Sequence, residues 1–222
     1  MPLRRHILLV LAAIAISGCV TLPSSQSFEK SRQHLLADLA SKSPCCTALK
    51  DVPPRDIPNS GEWYELIDES NPVVAFDQYR SYVSLLRLPP ESGGKSIGLT
   101  SKGTTSWIST GGFLSPVVSF LDADFKLLAT VRDFRYDADE KSTLQDAGIK
   151  GQVRIPSSAK YLLVFTSPEE LAKESVYRWN GARAYNVDSY APRVAPSATY
   201  AGRVDVVVKP HLPVGRVKFA WQ

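Results

Sequence analysis

The chain has 222 residues, with 26 Lys or Arg against 22 Asp or Glu and a formal net charge of +4. That surplus is too small for a protein that neutralises a run of phosphates, so the composition predicts no nucleic-acid partner. With 44% apolar and 22% charged residues it is neither disordered nor collagen-like, and its 16 prolines against 13 glycines favour short strands joined by turns, within one main domain.

Arg4, Arg5 and His6 precede an apolar run from Ile7 to Ile16, and Ser17-Gly18 stand directly before Cys19. A run of that length cannot cross about 30 Å of hydrocarbon as a helix, so residues 1–18 read as an export signal. The tetrad Ile16-Ser17-Gly18-Cys19 resembles the bacterial lipobox. It predicts a lipoprotein, with a diacylglycerol on the Cys19 sulfur, cleavage before that residue, and an acyl chain such as palmitate on the new amino terminus. Two or more acyl chains hold a protein stably at a bilayer where one does not. Val20 in place of an aspartate favours the outer membrane by resemblance to enterobacterial sorting, so the expected location is the periplasm, lipid-anchored. Residues 19–27 form a tether, whose eight residues after Cys19, at roughly 3.5 Å each, keep the body within about 28 Å of the membrane.

Phe28, Leu35, Leu36 and Leu39 recur at helical spacing and predict an amphipathic helix over 27–42. Its apolar stripe either docks on the domain or meets a partner protein. Ser43-Pro44 ends it, and Cys45-Cys46 follow. For this adjacent pair a vicinal disulfide, two buried thiols and an intermolecular bridge all remain open. Neighbouring cysteines supply at most half of a zinc site, so no metal is expected and the pair reads as structural. A proline-rich connector, Val52 to Pro58, completes a segment over 28–58.

From 59 to 222 the pattern is that of a single β-sandwich, jelly-roll-like, with one short helix. Strands are expected near 62–67, 73–77, 80–88, 95–101, 104–109, 117–122, 125–132, 151–155, 160–166, 203–209 and 215–221. Asp122-Ala123-Asp124 suits a tight turn. Ser167, Pro168 and Glu170 have capping-box spacing and predict a helix over 168–175. The proline- and tyrosine-rich stretch from Asn180 to Ala201 reads as a long surface loop and as the place for binding.

Catalytic patterns are missing. His34 and His211 have no partner motif nearby in sequence, and no G-x-S-x-G elbow occurs. Ser92-Gly93-Gly94-Lys95-Ser96 ends like a phosphate loop, but Pro89 stands where the first glycine is needed. The acidic group Asp133, Asp137, Asp139 and Glu140 lacks the glycine turn of a calcium loop and reads as a solvated turn. No cofactor is expected, and the chain reads as non-catalytic. What remains is aromatic surface, because a ring can lie against the C–H face of a sugar. The candidate contacts for carbohydrate or partner are Trp179 first and Trp107 second, then Tyr177, Tyr185 and Tyr190.

Three stretches give the chain a family likeness: Phe113-Leu114-Ser115-Pro116-Val117-Val118-Ser119-Phe120-Leu121-Asp122, then Tyr161-Leu162-Leu163-Val164-Phe165-Thr166-Ser167-Pro168-Glu169-Glu170-Leu171, then Ala182 to Val208. With Leu86-Arg87-Leu88-Pro89 they make residues 60–209 resemble the maltose operon periplasmic protein (MalM) family. The first stretch is also similar to the pre-peptidase C-terminal β-sandwich type. The family resemblance implies an exported β-rich protein associated with maltose or maltodextrin uptake, with no catalytic residues to carry over. The expected function is that of a membrane-anchored envelope lipoprotein assisting carbohydrate transport, by binding a glucan or a transporter component. The alternative is a structural lipoprotein that braces an envelope complex through its 27–42 helix.

Overall fold

A computed structural model describes residues 25–46, 48–103, 112–137, 148–180 and 204–222; for 25–31, 136–137, 176–180 and 204–209 it describes the backbone alone. The chain is mainly β. One five-stranded sheet has the order β1 (Arg55–Asp56), β5 (Ser84–Arg87), β12 (Tyr161–Phe165), β8 (Val117–Leu121), β9 (Leu127–Val131). The second has the order β10 (Arg135–Asp137), β11 (Gly148–Arg154), β6 (Ser96–Lys102), β15 (Gly215–Trp221), β2 (Glu62–Ile67). Beside them stand a three-stranded sheet, β13 (Glu174–Asn180), β14 (Val204–Leu212), β7 (Phe113–Leu114), and a hairpin of β3 (Val73–Phe76) with β4 (Tyr79–Tyr82). The described residues also include two α-helices, α1 (Ser25–Ser41) and α2 (Pro168–Leu171).

The two large sheets form a sandwich because each turns an apolar face to the other. Leu86, Leu162, Val164, Val118 and Phe120 from the first sheet meet Ile67, Ile97, Leu99, Val217 and Phe219 from the second in one core. Each such side chain contributes about 1.5–3 kcal/mol on leaving water. The sheets differ on their outer faces. In β2 every second residue is buried, the pattern of a strand with one wet face. In β8 all five residues are buried, because a further apolar layer covers the first sheet. There Leu85, Val117, Leu121, Leu163 and Phe165 pack with Val52, Val74 and Val83.

The strands expected at 62–67 and 215–221 appear with those limits. The run at 80–88 is two strands, broken at Val83, whose N–H donates to the Pro72 carbonyl at 2.9 Å while the chain leaves the hairpin for the first sheet. The turn after β8 is held by the Asp122 carboxylate, which accepts from the N–H groups of Asp124 and Lys126 at 2.9 Å each. The strand expected at 104–109 lies outside the described residues. The helix expected over 168–175 stops at Leu171. Ser167 does cap it and Pro168 opens it, but from Glu174 onward the backbone pairs with β14, Glu174 opposite Pro210 through Asn180 opposite Val204. Ladder pairing over seven residues outweighs one more turn of helix.

Cys45 and Cys46 are joined in a vicinal disulfide, the first of the three states left open. The Cys45 N–H donates to the Val73 carbonyl at 2.9 Å, and Cys46 bridges Val74. The pair thus ties the segment after α1 to the hairpin. No helix among the described residues is long and apolar enough to cross a membrane.

Candidate functional site

A groove of about 510 Å³ runs between α1 and the β3–β4 hairpin. Leu36, Leu39 and Ala40 of α1 form one wall, residues 75–80 of the hairpin the other, and Leu171 of α2 contributes at one end. The hairpin is tight: Phe76 pairs with Tyr79, so Asp77 and Gln78 alone make the turn. It therefore presents two aromatic rings at the strand ends and two exposed polar side chains at the tip.

The rings form a stack. Phe76 lies 5.0 Å from Tyr79, centroid to centroid, with planes 20° apart, and 4.8 Å from Phe165 at 19°. Phe165 belongs to the outer layer of the first sheet, so the stack is seated on the core and Tyr79 is its outermost ring. Burial raises the Tyr79 phenol above its ordinary pKa, and the hydroxyl is held as a neutral group that both donates and accepts.

The α1 wall is fixed by polar bonds from several elements. Arg80 donates from Nη1 to the carbonyls of Ala40 and Lys42 at 2.9 and 2.8 Å, which satisfies the end of the helix. Tyr82, fully buried, donates its hydroxyl to Asp38 at 2.7 Å. That bond lowers the Asp38 pKa and, together with burial, raises that of the phenol. Arg32 reaches from mid-helix to the carbonyls of Leu171 at 2.8 Å and His211 at 3.2 Å.

Behind this end of the groove lies a buried polar network. His211 Nδ1 sits 2.8 Å from the Glu170 carbonyl, which only accepts, so Nδ1 carries the proton. Nε2 then accepts from the Ser175 hydroxyl at 2.9 Å. Desolvation lowers the His211 pKa and keeps the ring neutral. The Glu170 carboxylate accepts from Ser115 at 2.6 Å and pairs with Lys173 at 2.6 Å. His211 is thus not partnerless: its contacts come from residues 36 and 41 positions away. Serine and histidine stand as in a nucleophile–base pair, yet Ser175 and His211 are only 4% and 5% exposed and neither lines the groove. The network braces α1, α2, β13, β14 and β7 together.

Of the sequence candidates, Tyr177 and Trp179 fall on β13, opposite Val207 and Asp205, and their side chains are outside the description. Trp107, Tyr185, Tyr190 and Cys19 lie outside the described residues, as do 181–201 of the expected binding loop. Trp63 is a core residue stacked on Phe219 at 5.1 Å. Sequence reasoning passed over Phe76, Tyr79 and Arg80. The signal available was an aromatic residue on each side of the Asp77-Gln78 pair. Among the described residues no cluster of His, Cys, Asp or Glu can hold a metal ion. An apolar floor, an outermost aromatic ring and polar groups at the rim equip the groove to hold a ligand with alternating C–H and hydroxyl surface.

The model of the maltose operon periplasmic protein precursor (MalM) family matches residues 78–202, which includes the turn and strand that carry Gln78, Tyr79 and Arg80. No curated protein and no solved structure matches the chain.

Proposed function

This chain belongs to the maltose operon periplasmic protein family, and from that premise we propose that it is a non-catalytic, lipid-anchored envelope protein that assists maltodextrin transport by binding a glucan in the groove between α1 and the hairpin. The observation that carries this reading is the Tyr79–Phe76–Phe165 stack, seated on the core and edged by Asp77 and Gln78. A glucose ring laid against Tyr79 covers its C–H face, while the rim side chains and the neutral phenol bond its hydroxyls. The groove is open, so a chain of several sugars is the fitting ligand rather than an enclosed monosaccharide. Trp179, Trp107, Tyr177, Tyr185 and Tyr190 are retained as further contacts along such a chain.

Anchoring at Cys19 in the outer membrane is the second part of the proposal and rests on the lipobox. Intact-mass measurement of the purified protein should show the added lipid, and a bare polypeptide in the aqueous fraction sinks the anchor. Bracing of a complex through α1 is the less favoured reading, because Leu39, Arg32 and Asp38 are already engaged with the domain itself. Isothermal titration with maltose, maltotriose and longer maltodextrins tests the groove. Binding should strengthen with chain length, and Tyr79→Ala should weaken it roughly tenfold, the size of one lost ring contact. Absence of heat with every oligomer overturns the glucan reading.

A further inference from the structure

The outer face of the second sheet carries a concentration of positive charge that the whole-chain sum conceals. Strand alternation and register place Arg216 and Lys218 of β15, Lys102 of β6, Lys150 and Arg154 of β11, and Arg135 of β10 on this one face. Adjacent strands bring them into rows. Tyr64, Lys218, Thr100, Lys150 and Arg135 stand side by side across all five strands, a row about 19 Å long at the usual strand spacing. Leu66, Arg216 and Lys102 stand in the next row. Among the described side chains of the face Glu62 is the acid, paired with Lys218 at 2.6 Å, and the register sets Asp137 opposite Gly148. Lys150 with Arg135 and Arg216 with Lys102 stand on adjacent strands, about 5 Å apart and well inside the ~8 Å screening length of physiological salt, and Lys218 stands about 10 Å from Lys150, so the cations act as one patch.

A second observation lies on the same face. Tyr64 and Leu66 are 53% and 52% exposed at the edge strand, with the Arg216 guanidinium 5.9 Å from the Tyr64 ring centroid. Exposed tyrosine and leucine beside a field of Lys and Arg is the composition of a surface that sits at a lipid–water interface, with rings among the headgroups and cations on the phosphates. The central strands of the first sheet have their outer face covered by an apolar layer, and Leu127 and Leu128 are exposed only at its edge strand β9.

We propose that the outer face of the second sheet docks on an anionic phospholipid bilayer. This goes beyond the carbohydrate reading and does not depend on it or on the anchor: the patch acts with or without acyl chains, and with them it fixes which side of the domain faces the membrane.

Co-sedimentation with vesicles tests it, using the chain from residue 20 onward, which carries no acyl chain and retains every described residue. The expected result is binding to vesicles of phosphatidylethanolamine with phosphatidylglycerol, little binding to phosphatidylcholine alone, and release by high salt. Arg135→Ser with Arg154→Ser, both exposed side chains, should weaken binding by about tenfold or more. Lys126→Ser with Lys160→Ser removes the same charge from the first sheet's side of the molecule and should leave binding unchanged. Tyr64→Ser with Leu66→Ser should lower affinity while preserving the salt dependence. Equal binding to neutral vesicles overturns the proposal, as does equal loss in both charge-removing pairs. Binding to soluble heparin without uptake by any vesicle also overturns it and assigns the patch to a dissolved polyanion.

Discussion

The two sheets of the sandwich share an inner core and differ in what they do with the other side. The central strands of the first bury both faces: Leu162 and Val164 point to the shared core, and Leu163 and Phe165 point to the layer supplied by the hairpin and the segment after α1. The second buries one face and leaves cations, Thr100 and Gly98 on the other. The lesson is one of division of labour. A strand with two apolar faces has no side chain to spare for anything but packing, whereas a strand with one wet face can change half its residues with little effect on the fold. Interactions with other molecules therefore belong on the second sheet's outer face and on the hairpin tip, and stability belongs to β8 and β12.

The largest expected effect sharpens this contrast. Phe165→Ala should cost about 3–5 kcal/mol in denaturant unfolding, because it opens a cavity in the outer layer and removes the seat of Phe76. Thr100→Ala on the second sheet's outer face should stay within about 0.5 kcal/mol. Similar losses from the two would break the comparison.

Next comes the polar network that ties the helices to β14. Glu170→Ala leaves Ser115 and Lys173 without their carboxylate, inside a site where Glu170 is 3% exposed, and should cost about 1–3 kcal/mol, with Ser115→Ala near the lower bound. Differential scanning calorimetry on the two variants and their double mutant gives the coupling; strict additivity contradicts a shared network.

The smallest effect is a pH dependence. His211 has its pKa lowered in the folded state from the ordinary 6.5, so the unfolded chain binds the proton first as pH falls. Its contribution is fully present above 6.5 and is lost as pH drops from there toward the folded value. Melting temperatures from pH 8 to pH 5 should fall in that window, and His211→Asn should flatten the slope. An unchanged slope means that other groups carry the acid sensitivity.

Sequence alone made the sandwich legible because hydrophobic period is a direct consequence of which faces are buried. In β15 the alternation of Arg216 and Lys218 with Val217 and Phe219 marks one wet face, whereas in β2 Glu65 is buried and Tyr64 and Leu66 are exposed, so residue type there did not say which face was in. The strand β13 was hidden, since Glu174, Ser175, Arg178 and Asn180 have none of the β-branched character that marks a strand, and its partner lies at 204–210. The groove was hidden for another reason. Its walls come from 36–40, 75–80 and 171, and only the packing of α1 on the hairpin brings them together. The positive face was averaged away, because a net charge has no geometry.

Arg80 joins two of these features in one side chain. It belongs to the groove wall, and its guanidinium also closes the last carbonyls of α1. Whatever pulls that guanidinium aside unlatches the helix end and widens the cleft in a single movement. The groove wall and the end of α1 are therefore coupled through one guanidinium, so a change at this position is felt at both.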